Sequence, residues 1–127
     1  IGGQEVQVAV MNGRALGAIE LNPKRKYYDY TAKYFKSAKT KHIMPANISK
    51  KKYLKVLKIA ERTHKALKCR GVTRCDFKIL NNKFYLLEIN TQPGMTNLSL
   101  VPEIAKYRGI SFDNLVKRII LDASIGR

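Results

Sequence analysis

Acidic residues are scarce in this chain: 9 Asp and Glu stand against 25 Lys and Arg, a formal net charge of +16. Each carboxylate is therefore conspicuous. Cysteine is rarer still, with Cys69 and Cys75 alone. They lie six residues apart without a CxxC, and His42 and His64 are remote in sequence, so no zinc-site spacing exists. Cys69 should end a helix and Cys75 should lie in a strand, and two buried free thiols in a cytoplasmic protein are the ordinary reading. No apolar run reaches the ~18 residues that a membrane span needs. The opening IGGQEVQV lacks the basic-then-apolar order of a signal peptide. It also lacks an initiator Met and opens inside a strand pattern, so the chain is expected to be a piece of something larger. Missing too are GxSxG, a convincing Cys/His pair and the P-loop GxxxxGK[ST], so nothing points to nucleophilic catalysis. A phosphate-handling role must hold its nucleotide by other means.

The excess of basic residues would ordinarily suggest nucleic acid, because clustered Lys and Arg release counterions from phosphates. Here the concentrations Lys24-Arg25-Lys26, Lys36 to Lys41 and Lys50-Lys51-Lys52 fall in a predicted turn, loop and helix start, where solvated charge is the usual outcome. No RNP-type aromatic motif, zinc-finger spacing or helix-turn-helix accompanies them. An anionic small substrate such as a nucleotide is the better expectation.

What is present reads as one domain or subdomain of 127 residues, large enough to bury a core. Val6, Val8 and Val10 alternate with Gln7, Ala9 and Met11, and Asn12-Gly13 then makes a hairpin turn toward a return strand over Ala15 to Leu21. Residues 24–49 are irregular, polar and aromatic, a length typical of functional lids. Ser49 caps a helix whose apolar face runs through Tyr53, Val56, Leu57, Ala60, His64 and Leu67, and Gly71 closes it. Val72 to Leu80 and Phe84 to Asn90 form a second hairpin around Asn81-Asn82. A short helix from Ser99 or Leu100 to Tyr107 and a last one capped by Ser111 follow. The fold class is α+β, an antiparallel sheet with helices on one face.

The chemistry concentrates between Gly71 and Pro102. Asp76, Glu88 and Asn90 are hard oxygen ligands on the two strands of the second hairpin. Simple alternation puts Leu86, Glu88 and Asn90 on one face, Glu88 and Asn90 about 7 Å apart at ~3.3 Å per residue, and Tyr85, Leu87 and Ile89 on the other. Two carboxylates and a carboxamide gathered there would suit Mg²⁺ bridging phosphates. A solvated sheet face with Arg74 and Asp76 paired is the equally open alternative. Arg74, on the face of Asp76, could neutralise a growing oxyanion or only make an ion pair. Gly94, in the turn Gln92 to Thr96, exposes a backbone N–H that an oxyanion can approach closely. Ser99 reads first as a helix cap, though helix starts also bind carboxylates and phosphates. Tyr27 to Tyr34 interleaves aromatics with Lys33, and could fold over phosphates or merely anchor a loop. Glu5 could accept from ribose hydroxyls or stand as an edge carboxylate. His42 has no visible partner.

The run RCDF…FYLLEINTQPGMT…SLVPE closely resembles the carboxy-terminal part of the D-alanine–D-alanine ligases, of the ATP-grasp superfamily. GQEVQVAVMNGRALGAIEL resembles the first hairpin of that part, YYDYTAKY followed by PANIS its mobile loop, and GISFDNLVKRII its last helix. The resemblance covers essentially the entire chain. It implies a C-terminal ATP-grasp subdomain over residues 1–127 with a mobile active-site loop at 24–49. It implies an ATP-dependent ligase that phosphorylates one D-alanine carboxylate and lets the amine of a second attack the acyl phosphate, for peptidoglycan precursors. By match to the motif, Asp76, Glu88 and Asn90 would bind Mg²⁺, with Mn²⁺ as the alternative ion. Arg74 and the Gly94 backbone would stabilise the tetrahedral oxyanion. Ser99 and Leu100 would receive the second substrate's carboxylate. Lys33 would touch phosphate, Tyr34 would position the closed loop, and Glu5 would face the ATP ribose. The parent would be a cytoplasmic homodimer with no membrane partner. The amino-terminal substrate domain and the central segment of the ATP clamp are absent from this chain, so alone it is expected not to turn over. A basic, non-catalytic nucleic-acid module and another ATP-grasp carboxylate–amine ligase are the alternatives.

Overall fold

The two Asn-led turns set the frame. Asn12 and Gly13 have φ of 52° and 84°, and Asn81 and Asn82 have 50° and 64°. Positive φ at both central residues is what a two-residue hairpin turn requires for its twist to match that of the flanking strands. The computed structural model, which describes residues 2–23 and 40–124, accordingly folds both segments back on themselves. Gln4–Met11 (β1) pairs with Arg14–Asn22 (β2), and Val72–Leu80 (β4) pairs with Lys83–Asn90 (β5), both antiparallel. Central strand β1 also pairs antiparallel with β4, joining the hairpins. A three-residue strand within the expected irregular segment, Lys41–Ile43 (β3), adds to the β2 edge and gives the order β3-β2-β1-β4-β5. Three residues are too few for any periodicity to announce.

Three helices occur among the described residues: Lys50–Ala66 (α1), Leu100–Tyr107 (α2) and Phe112–Asp122 (α3). Ser49 caps α1, its Oγ accepting from Lys52 N at 3.2 Å, and Ser111 caps α3 through Asn114 N in the same way. The antiparallel sheet with helices is as expected, but the helices divide between its two faces rather than sharing one. Val6, Val8, Val10, Cys75, Phe77 and Ile79 pack with Val56 and Ala60 of α1. Ala9, Met11, Leu16, Ile19 and Val72 pack on the other side with Val101, Ile104, Ala105 and Leu115 of α2 and α3. The cause lies in β1, where every residue from Val6 to Met11 except Gln7 is apolar, so burial on both faces is favourable.

Side-chain bonds pin α1 to the sheet. Tyr53 Oη accepts from Ala18 N at 3.0 Å and Glu61 Oε2 from Ala15 N at 2.8 Å. Leu67, expected on the apolar face, is instead 58% exposed at the C-cap. Both cysteines are free, and burial pushes the Cys75 thiol up to about 11.

His64 is 3% exposed, with Nδ1 2.8 Å from the fully buried Thr73 Oγ1. Burial holds its pKa below the ordinary value of 6.5. The unfolded chain therefore binds the proton more readily, and stability is complete above pH ~6.5 and declines as pH falls below it. Urea midpoints of the full-length chain between pH 7 and pH 5 should show this decline, and His64→Gln should flatten it. An equal slope in the variant would place the titration elsewhere.

Candidate active site on the polar half of one sheet face

Helices α2 and α3 cover only part of their face, and register decides what lies beside them. Three rows run across β2, β1, β4 and β5. The first is Leu21, Glu5, Lys78 and Tyr85; the second Ile19, Gln7, Asp76 and Glu88; the third Gly17, Ala9, Arg74 and Asn90. Asp76 and Glu88 are thus direct cross-strand partners, and Asn90 stands opposite Arg74. The five predicted residues Glu5, Arg74, Asp76, Glu88 and Asn90 come together on one face.

The register corrects the simple alternation along β5. A bulge between Asp76 and Phe77 sets Phe77 opposite Leu86 while Asp76 keeps Glu88. One extra residue on β5 is absorbed there, which turns the pattern over. Tyr85, not Leu86, therefore shares the side of Glu88 and Asn90, and Phe84 and Ile89 pack toward the α1 core.

Arg74 and Asp76 form a two-pronged pair, Nε to Oδ1 at 2.8 Å and Nη2 to Oδ2 at 3.0 Å, both side chains less than one-fifth exposed. The Asp76 bond raises the guanidinium pKa above its usual value against burial, with the charges of Asp76, Glu88 and Glu5 adding to it. Parallel bonds of this kind fix the fork's direction as well as its energy. Lys78 Nζ lies 3.7 Å from Glu5 Oε2. Asn90 Oδ1 accepts from Gln92 N at 2.9 Å, which starts the turn after β5. Glu88, exposed, makes no hydrogen bond or ion pair among the described residues.

Past the turn, Ser99 does not cap α2 through its side chain. Its Oγ accepts from Thr96 N at 3.1 Å and lies 2.8 Å from Thr96 Oγ1, so the cap expectation gives way to a hydroxyl turned back on the 94–99 loop. A Cβ at Gly94 would sit 3.0 Å from that Oγ, closer than ordinary contact, so a larger residue there would require the Ser99 hydroxyl to shift. Leu100 opens α2 directly after. His42, without a visible partner in sequence, bonds Glu103 of α2, Nδ1 to Oε1 at 2.7 Å. Lys33 and Tyr34 lie outside the described residues. Sequence reasoning missed Lys78 and Gln7; the signal for Gln7 was available, as the lone polar residue between Val6 and Met11. A concavity of about 930 Å³ at the Asn12-Gly13 end of the sheet, lined by Lys58, Arg62, Lys65 and Arg70, holds none of these groups.

This antiparallel five-stranded sheet flanked by helices, with its polar rows on one face, has the architecture of the C-terminal subdomain of an ATP-grasp fold, the class of the solved structures it superposes on. Within that class the chain belongs to the D-ala D-ala ligase C-terminus family, whose model matches residues 1–121. The D-alanine–D-alanine ligase of Pelagibacter ubique is 63% identical over 127 residues, all of this chain and 42% of the relative. That of Geotalea uraniireducens is 48% identical, over 98% of this chain and 40% of its own length. A crystal structure of D-alanine–D-alanine ligase from Bacillus anthracis complexed with ATP superposes with a TM-score of 0.80 at 31% identity, covering 96% of this chain and 40% of that one. The chain thus spans about two fifths of the length of the curated relatives it matches. No helix among the described residues is long and apolar enough to cross a membrane.

Proposed function

We propose that residues 1–127 form the metal- and oxyanion-binding subdomain of an ATP-dependent, ADP-forming ligase that joins two D-alanines for peptidoglycan precursor synthesis in the cytoplasm. The observation that carries the reading is the shared face of Glu5, Arg74, Asp76, Glu88 and Asn90 on β1, β4 and β5. Family membership supplies the substrate class, and the geometry supports the chemistry. The working protein is taken as a homodimer whose remaining segments complete the nucleotide and first-substrate sites.

The donor set fits Mg²⁺ or Mn²⁺. Two carboxylates face each other across β4 and β5 with a carboxamide beside them, all hard oxygens. Among the described residues no cluster of three or more His, Cys, Asp or Glu forms, so protein ligands are few. That suits an ion completed by phosphate oxygens and water. When bound, the cation offsets the charge of the triphosphate and polarises the phosphoryl group in transfer.

The first D-alanine carboxylate oxygen attacks the γ-phosphorus, and ADP leaves. The amine of the second D-alanine then attacks the acyl carbon, loses a proton, and phosphate departs as the peptide bond forms. Asp76 holds Arg74 by Nε and Nη2, leaving N–H donors of the same fork free for the tetrahedral oxyanion, which the Gly94 N–H shares. Preorganised donors of this kind cost no reorientation during the reaction. Ser99 and the start of α2 at Leu100 receive the second carboxylate, and Glu5 accepts from the ribose. By match to the family motif, Lys33 would touch phosphate and Tyr34 would help position an active-site loop; both lie outside the described residues.

The full-length parent of this subdomain, given ATP, Mg²⁺ and D-alanine, should release phosphate in step with dipeptide formed. Turnover with a different amino acid alone would indicate another carboxylate–amine ligase. Salt-dependent nucleic-acid binding without D-alanine-dependent phosphate release would indicate a basic binding module.

A further inference from the structure

Gln7 is 5% exposed, and its Oε1 is buried with no hydrogen-bond partner. A buried carbonyl oxygen without a donor is costly and rare, so in the working protein it has one. Its neighbours restrict the choice. On β2 the residue in register is Ile19, which has nothing to donate, and on β4 it is Asp76, an acceptor when ionised. Arg74, one row away, is turned to Asp76, and Lys78, one row the other way, leans to Glu5, so the donors each has left do not reach Oε1.

The missing group is a donor delivered from outside these residues, beside the carboxylate pair. Phosphate oxygens only accept and cannot serve. Ribose hydroxyls donate, but Glu5, two residues earlier on β1, is the acceptor proposed for them. Water in the coordination shell of a cation is a strong donor, and the cation proposed above sits on Asp76 and Glu88, the next two positions of the same row. We infer that Gln7 is a positioning residue, whose Oε1 accepts a hydrogen bond from a water on the divalent cation and so helps hold that water and the ion in place. The inference rests on the metal reading proposed above. Outer-shell partners of this kind orient ligands and change metal affinity by about 10–100-fold when removed.

The test uses Mn²⁺ as the probe, titrated by electron paramagnetic resonance into the full-length parent with ADP. Gln7→Met keeps the volume and removes the acceptor. It should weaken Mn²⁺ binding about tenfold, while raising the melting temperature of the metal-free protein, because the unpaired oxygen is gone. Gln7→Glu, which keeps an acceptor in place, should hold Mn²⁺ at least as tightly as the parent. Gln7→Thr, too short to reach, repeats the affinity test should the Met variant fold poorly. Affinity within twofold of the parent in either variant lacking the acceptor overturns the inference, and the donor to Oε1 is then not a water on the cation. Glu88→Ala is the control. If it abolishes Mn²⁺ binding while Gln7→Met does not, only the role of Gln7 falls; if it leaves binding intact, the metal reading falls with it.

Discussion

Glu88→Ala in the full-length parent should lower D-alanine-dependent phosphate release by about 10³-fold, ~4 kcal/mol of transition-state stabilisation, with the melting temperature essentially unchanged. Glu88 is the clean probe of the row because it is exposed and makes no hydrogen bond or ion pair among the described residues. Truncating it removes a carboxylate and little else. Asp76→Ala is a worse experiment, since it strips a partly buried Arg74 of both its bonds and so mixes fold with chemistry. Release of phosphate and dipeptide at the parent rate in Glu88→Ala would sink the metal assignment outright. A collapse in thermal stability would mean instead that the carboxylate has a structural task that its exposure does not suggest.

The hairpins, the helix starts and the polar segment were legible because local chemistry dictates each of them. Asn12-Gly13 and Asn81-Asn82 adopt positive φ, and Ser49 and Ser111 accept from the first helical turn. What was not legible depends on pairing across the sheet. Ala9 and Met11 read as the second face of an alternating strand, and only the presence of α2 and α3 shows that this face is buried too. The bulge beside Asp76 exchanges Leu86 for Tyr85 on the candidate face, and no composition at 84–88 announces it. Ser99 does stand at the N-cap of α2, but its hydroxyl turns to Thr96 instead of capping the helix. His42 and Glu103 are 61 residues apart in sequence, and only the β2–β3 pairing and the seat of α2 join them.

Phe77→Ala should destabilise the fold by about 3–5 kcal/mol, the range for emptying a fully buried aromatic site. The side chain is 0% exposed and packs among Val6, Val8, Val56 and Ala60, between the sheet and α1. Against the 5–15 kcal/mol that holds a typical domain together, that loss lowers the urea midpoint sharply while the slope with denaturant stays the same. Asp76 is the preceding residue of the same strand and points to the opposite face. Neighbours on β4 therefore divide the work, one filling the core and the next carrying the charge. At a temperature where Phe77→Ala is still folded, its Mn²⁺ affinity should stay within about threefold of the parent, since its side chain leaves the face of β4 opposite to that of Asp76. A midpoint within error of the parent would contradict the two-core packing. A large loss of metal affinity in the folded variant would mean that Phe77, seated beside the bulge, is what holds Asp76 and Glu88 in register.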